Sequence, residues 1–236
     1  MPRLVPSLVA EAIGVFALSF IGILAIQQLG AVPGGLIGIA LAHGLILSIM
    51  ITATAHISGG HLNPAVTLGL LAIGKIKPPA AIAYIVAQVL GGLLAGLAVI
   101  LMTKDHGAAV VASGTPGLGH VAQVPIITIG GACIAEFIAT FFLMSAVLGT
   151  AVDPRAPKIG GFGIGLTVTA DILAIGPLTG AAMNPARATG PALAAAMGRV
   201  SIVWSDHWIY WVAPVAGAIA AALVYKAFFS PEKQPA

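Results

Sequence analysis

The sequence predicts an all-α membrane protein of six transmembrane helices and two re-entrant half-helices, arranged as an inverted repeat. Three observations carry this. The composition is 59% hydrophobic and only 7% charged, with a mean hydropathy of +1.07, which leaves too little polar surface for a water-soluble domain of this length. An Asn-Pro-Ala motif occurs twice, at Asn63-Pro64-Ala65 and Asn184-Pro185-Ala186, 121 residues apart. An Ala-Glu pair opens an apolar span twice, at Ala10-Glu11 and Ala135-Glu136.

Apolar spans fall at residues 8–29, 36–55, 79–102, 126–150, 159–176 and 207–229, each close to the ~20 residues that cross a hydrocarbon core. The first is too long for the apolar region of a signal peptide and carries Glu11, so it is expected to be retained. Between the spans sit the two Asn-Pro-Ala motifs, each approached by a Gly-rich polar stretch, His56-Ile57-Ser58-Gly59 or Gly176-Pro177-Leu178-Thr179-Gly180. Asn is a helix-capping residue and Pro suits the first helical position, so each motif starts a helix. The helices that follow, residues 65–73 and 186–197, are roughly 14–18 Å long, about half a bilayer core. Paired short segments of this kind in the two halves of a membrane protein mark its binding or conduction site.

The repeats divide one transmembrane domain, residues 1–236, into halves of about 1–110 and 122–236. Three full spans and a half-span per half make an odd number of crossings, so the halves are inverted. The two half-helices then meet tip to tip near the midplane. Glu11 and Glu136 test this arrangement. An intramembrane carboxylate faces the bundle interior, where each can accept hydrogen bonds from the N–H groups of the Gly-rich loop in its own half. A proton relay is the alternative role.

With the N-terminus inside, Arg3, Lys75, Lys77, Arg155, Lys158, Lys226 and Lys233 lie on the cytoplasmic side and Lys104 and Arg199 outside. Seven against two fits the positive-inside rule and puts both termini in the cytoplasm. The basic charge is therefore a topology signal, and no nucleic-acid partner is expected. Cys133 is the single cysteine; it reads as a small buried packing residue. No metal-ligand spacing and no nucleophile–base pair is visible, so neither a metal, a cofactor nor an enzyme is expected. Gly34-x3-Gly38, Gly92-x3-Gly96 and Gly161-x3-Gly165 suit close helix contacts. Residues 153–158 form a short cytoplasmic turn, residues 104–125 a long outer connection, and residues 230–236 a disordered tail.

These residues resemble the aquaporin (major intrinsic protein) family over essentially the whole chain. The resemblance rests on the doubled Asn-Pro-Ala, the repeated Ala-Glu, His56-Ile57-Ser58-Gly59-Gly60-His61-Leu62, and His207-Trp208-Ile209-Tyr210-Trp211-Val212-Ala213-Pro214. It implies a homotetramer of six-helix channel subunits in the lipid bilayer, each with its own pore for water and small neutral solutes. The physics agrees with a pore. Two half-helix N-termini bring about half an elementary positive charge each to mid-membrane, and Asn63 and Asn184 add amide donors. Water can pass with its oxygen toward them while a cation meets a barrier, as is known for aquaporin-type selectivity.

Carried over by position, the resemblance implies a selectivity filter of His43, Ile172, Ala181 and Arg187, with His61, Glu11 and Glu136 supporting the pore and its loops. His43 with Ile172 is similar to the plant tonoplast subgroup, which implies ammonia and hydrogen peroxide beside water. In part of that subgroup a loop histidine reaches the arginine. His120 lies near the matching place with a one-residue gap, with His106 as competitor; a solvated loop histidine is the other reading. Glycerol and urea facilitators are the nearest rivals, but Ala188 follows Arg187 where they usually have Asp, and Tyr210-Trp211 matches the water branch. Asp171 stands where the subgroup generally has Asn. Ala181 stands where some members carry a mercury-sensitive cysteine, so mercurial inhibition through that position is not expected. An ion-coupled transporter using Glu11, Glu136 or Asp171, and a junctional protein with a closed pore, are the readings from other classes. The few loops suggest a plasma membrane, with a vacuolar membrane as the alternative.

Overall fold

The structure, a computed structural model, describes residues 4–121, 124–157 and 159–231. Arg3, Lys158, Lys233 and the tail from residue 232 lie outside the described residues. Among the described residues, six helical stretches are long and apolar enough to cross a membrane: α1 (Leu4–Leu29), α2 (Gly35–Ser58), α4 (Pro78–Met102), α6 (Ile129–Val147), α7 (Phe162–Thr179) and α9 (Ile209–Val224). Two of them gain length from π-helical turns, Leu148–Val152 after α6 and Tyr225–Phe229 after α9. The half-helices are α3 (Pro64–Ala72) and α8 (Pro185–Met197).

Both half-helices begin for the same local reason. Asn63 and Asn184 have extended backbones, and their side chains accept hydrogen bonds from Ala65 N at 2.8 Å and from Ala186 N at 3.0 Å. Pro then occupies the first helical position, where no N–H is needed. Upstream, α2 and α7 stop at Gly59 and Gly180, with φ of 92° and 78°. That left-handed conformation is open to glycine at little cost and lets the chain turn back into the bundle.

The halves interlock. α1 packs on α2 and α4, and α6 packs on α7 and α9. α2 meets α7 across the pseudo-twofold, while α3 lies on α9 and α8 on α4. Each half-helix is thus held by a span from the other half. Small residues permit this: a Cβ at Gly91 would collide with the Ala12 backbone, and one at Gly217 with the Phe137 backbone. Gly92 and Gly96 likewise admit α8. Gly34 differs from expectation. Nothing lies within 4 Å of its Cβ position, and with φ 75° it is the residue that opens α2 rather than a packing contact.

The connection between the halves is more structured than the sequence predicts. It contains a 3₁₀ turn (Lys104–His106), α5 (Gly107–Ser113) and a two-stranded ladder of β1 (His120–Val121) with β2 (Val124–Pro125). α5 packs against α1, α4 and α8, burying Val110 and Val111 beside Ile23 and Val99. Seven residues show too few turns for helical periodicity to register. Cys133 is another correction. It is half-exposed, on an apolar groove between α6 and α9 with Phe137 and Val212.

Candidate functional site

The loops ahead of α3 and α8 are held by two buried carboxylates. Glu11 Oε1 accepts from Ser58 Oγ (2.6 Å) and His61 N (3.0 Å), and Oε2 from Leu62 N (2.6 Å) and Gln88 Nε2 (2.7 Å). Glu136 repeats the pattern: Oε1 accepts from Thr179 Oγ1 (2.7 Å) and Ala182 N (2.9 Å), and Oε2 from Met183 N (2.7 Å). Leu62 and Met183 each have φ 48°, a left-handed conformation that costs about 1–2 kcal/mol for a residue with a side chain. The N–H group of each strained residue is one of the two backbone N–H groups gripped by its carboxylate. Tyr84 and Tyr210 complete the symmetry, donating to the Ser58 and Thr179 carbonyls at 2.9 Å.

At the centre the two asparagines engage the opposite loop. Asn63 Nδ2 donates to Met183 O and Asn184 Nδ2 to Leu62 O, both at 2.8 Å. Because each Oδ1 caps its own helix, the amide orientation is set, and each Nδ2 retains a second proton. The two motifs are therefore cross-braced at the ends of two helix dipoles.

Beside them runs a narrow cavity of about 30 Å³, room for only a few waters. Leu47, Ile51, Leu143, Val147, Ile164 and Val168 make its apolar wall, and His61, Asn63 and Asn184 its polar stripe. A wider vestibule of about 440 Å³ opens at the α5 side, under Gly114 to Leu118. His43, Pro116, Ile172, Gly180 and Arg187 line both spaces and so mark the throat between them. Ala181 lines the inner cavity alone. Three of the four expected filter positions thus meet at one constriction, and the fourth lies just below it.

Arg187 Nη2 donates to Gly114 O at 2.7 Å and lies 3.4 Å from His43 Nε2. Its Nε and Nη1 are buried without a protein partner among the described residues. His43 Nδ1 is 2.8 Å from Ile39 O. A carbonyl only accepts, so Nδ1 carries the proton and Nε2 presents a lone pair to Arg187. His61 follows the same logic: Thr67 Oγ1 donates to Asn63 O (2.9 Å), so at 3.1 Å it accepts from His61 Nδ1, leaving Nε2 as an acceptor.

The halves are unlike in one respect. Gln88 donates to Glu11 and to Thr67, but at the spacing that relates Tyr84 to Tyr210 its counterpart is Pro214. His61 and Thr67 likewise correspond to Ala182 and Ala188. The first loop thus carries a polar network that the second lacks. Asp171 is 7% exposed, lines neither space, and its Oδ2 has no partner among the described residues. The His120 side chain lies outside the described residues.

Sequence reasoning gave no site role to Gln88, Tyr84, Gly114 or Pro116. Tyr84 and Tyr210 stand 126 residues apart, close to the 125 that separates Glu11 from Glu136, and this was a readable signal; a carbonyl supplied by a loop leaves none. At the end of the bundle that carries both termini, Asp153 accepts from Arg155 N and Nε (2.9 Å each), Arg155 Nη2 (2.6 Å) and Tyr225 OH (3.0 Å). Arg155 Nη2 also donates to Phe229 O at 2.6 Å. The Arg155 guanidinium and N–H hold the Asp153 carboxyl well below the usual carboxylate range.

The model of the major intrinsic protein family matches residues 2–225. The chain is 42% identical over 236 residues to "Aquaporin TIP4-4" of Zea mays, covering 95% of this chain and 87% of that one. It is 43% identical over 202 residues to "Probable aquaporin TIP3-2" of Arabidopsis thaliana, covering 84% and 70%. Among solved structures, the aquaglyceroporin from Plasmodium falciparum superposes with a TM-score of 0.84 at 25% identity, covering 98% of both chains. These TIP-type relatives lend no support to the plasma-membrane expectation. Interlocked halves, paired half-helices and match along nearly the full length lead to one conclusion: the chain belongs to the major intrinsic protein family, as a multi-pass membrane channel of aquaporin type.

Proposed function

We propose that the protein is a passive water channel that also conducts ammonia and excludes protons and ions. The observation that carries this is the throat, where Arg187, whose Nε and Nη1 have no protein partner among the described residues, lines both spaces together with the apolar Ile172. A neutral solute that accepts hydrogen bonds can replace bulk water there. A cation meets the guanidinium first and then the two helix N-termini at Asn63 and Asn184. His43, Ile172, Ala181 and Arg187 are proposed as the filter. Asn63-Pro64-Ala65 and Asn184-Pro185-Ala186 are the central barrier, with His61, Glu11 and Glu136 in support and His120 as an extension of the filter. Ammonia matches water in size and hydrogen-bonding reach, and an apolar Ile172 removes one of the contacts that would favour water alone.

Glu11 and Glu136 line neither space, and their oxygens are occupied by loop donors. This supports a structural role for both and speaks against an ion-coupled transporter. The likeness to an aquaglyceroporin structure favours one second reading, a glycerol or urea facilitator. The domain is proposed to span residues 1–236, with repeats of about 1–110 and 122–236, as a homotetramer with both termini cytoplasmic.

Stopped-flow light scattering of proteoliposomes under an impermeant osmolyte tests the function. Shrinkage much faster than in empty liposomes, with rapid internal alkalinisation in an ammonia gradient, is the expected result. Fast glycerol entry with slow water flow would establish the second reading instead.

A further inference from the structure

We infer that Gly22 of α1 is a positioning residue that sets the aperture of the throat by giving the His43 imidazole a place to lie outside the passage. The inference rests on the filter role of His43 proposed above. Gly22 lines neither the inner cavity nor the vestibule. A Cβ built on it would overlap His43 Nε2 and stand 2.9 Å from both Cδ2 and Cε1. The ring therefore rests directly on the α1 backbone, and only a hydrogen at this position leaves room for it.

The next residue does the corresponding work for the other partner of Arg187. A Cβ at Gly114 would stand 2.9 Å from Ile23 Cα, so the loop that supplies the Gly114 carbonyl is seated on α1 as well. Both groups that meet Arg187 Nη2, the Gly114 carbonyl and the His43 ring, are thereby referenced to adjacent residues of α1, Gly22 and Ile23, that themselves line neither space. The ring is held on its far side by the Nδ1 bond to Ile39 O. A methyl group at position 22 displaces the imidazole toward Arg187 and the passage, because α1 and the Ile39 bond close the other directions. Overpacking of this kind in a well-packed site has a cost that, expressed on the barrier, slows passage roughly tenfold.

The test compares Gly22→Ala, His43→Ala and the double variant in proteoliposomes, reading water and urea permeability. Gly22→Ala is expected to lower water permeability roughly tenfold. His43→Ala is expected to raise urea entry relative to water. In the double variant no ring remains to be displaced, so its permeabilities are expected to equal those of His43→Ala alone. The inference is overturned if Gly22→Ala conducts like the parent, or if it lowers permeability by the same factor in the His43→Ala background, as a general packing defect would. Should Gly22→Ala alone fail to assemble, a conducting double variant supports the inference and a non-assembling one overturns it. If His43→Ala keeps the parental urea-to-water ratio, the filter reading fails and the inference falls with it.

Discussion

Asn63 and Asn184 each cap one half-helix and brace the other: Asn63 Nδ2 donates to Met183 O, and Asn184 Nδ2 to Leu62 O, at 2.8 Å. The residues whose carbonyls accept are the two that the carboxylates hold in a left-handed backbone. A single constellation therefore fixes cap, loop and partner loop.

Replacing Asn63 by Ala removes a helix cap worth about 1 kcal/mol and leaves the buried Met183 carbonyl unpaired at about 1–3 kcal/mol. A loss of about 2–4 kcal/mol in unfolding free energy is expected for Asn63→Ala. Denaturation in detergent micelles measures it. A change below ~0.5 kcal/mol, the level of an uninvolved surface site, would show that the cross-brace contributes nothing.

Gln88→Leu tests the inequality of the halves. It leaves Glu11 Oε2 with Leu62 N alone, matching Glu136 Oε2, which has Met183 N. The expected cost is about 1.5–3 kcal/mol, that of a hydrogen bond to a charged group, with water permeability retained. Abolished flow in a folded variant would mean that the Gln88 network acts on conduction.

Arg187→Val takes the guanidinium from the throat, where Nε and Nη1 have no protein partner among the described residues. Urea entry is expected to rise about tenfold, equivalent to removing roughly 1.4 kcal/mol of barrier, and proton leak to rise with it. Unchanged urea and proton flux would place the selective barrier elsewhere.

Asp153 sets a pH dependence at the end carrying both termini. Its folded pKa is depressed by Arg155, so the stability it contributes is present above the unfolded carboxylate value, near 3.9, and is lost as pH falls through the lower folded value. Between pH 7 and pH 5 the Arg155–Asp153–Tyr225 cluster is expected to stay closed. Limited proteolysis beyond Tyr225 should be equal at the two pH values in the parent and faster at both in Asp153→Asn. Faster cleavage of the parent at pH 5 would contradict the depressed pKa.

His120→Ala asks whether the outer connection extends the filter. A shifted ammonia-to-water ratio is the expected result. Permeabilities equal to the parent's would leave Arg187 to Gly114 and His43 alone.

The spans, the half-helices and the inversion were legible because each is written locally. Long apolar runs demand a bilayer, Asn-Pro starts a helix wherever it is placed, and an odd number of crossings between repeats forces inversion. α3 and α8 begin one residue before the expected starts, at Pro64 and Pro185. The hydrogen bonds from the Gly-rich loops to Glu11 and Glu136 were legible because a carboxylate inside a membrane requires donors, and such loops carry N–H groups without helical partners.

The sequence by itself determined the elements, their order and the chemistry available in each half. Tertiary structure alone decided which groups meet across them. The Gly114 carbonyl on Arg187, Gly22 behind His43, and the exchange of amide bonds between Asn63 and Asn184 each join segments far apart in the chain. A backbone carbonyl, a missing Cβ and the direction of a side-chain amide leave no pattern in one dimension, because their meaning depends on how closely two helices approach.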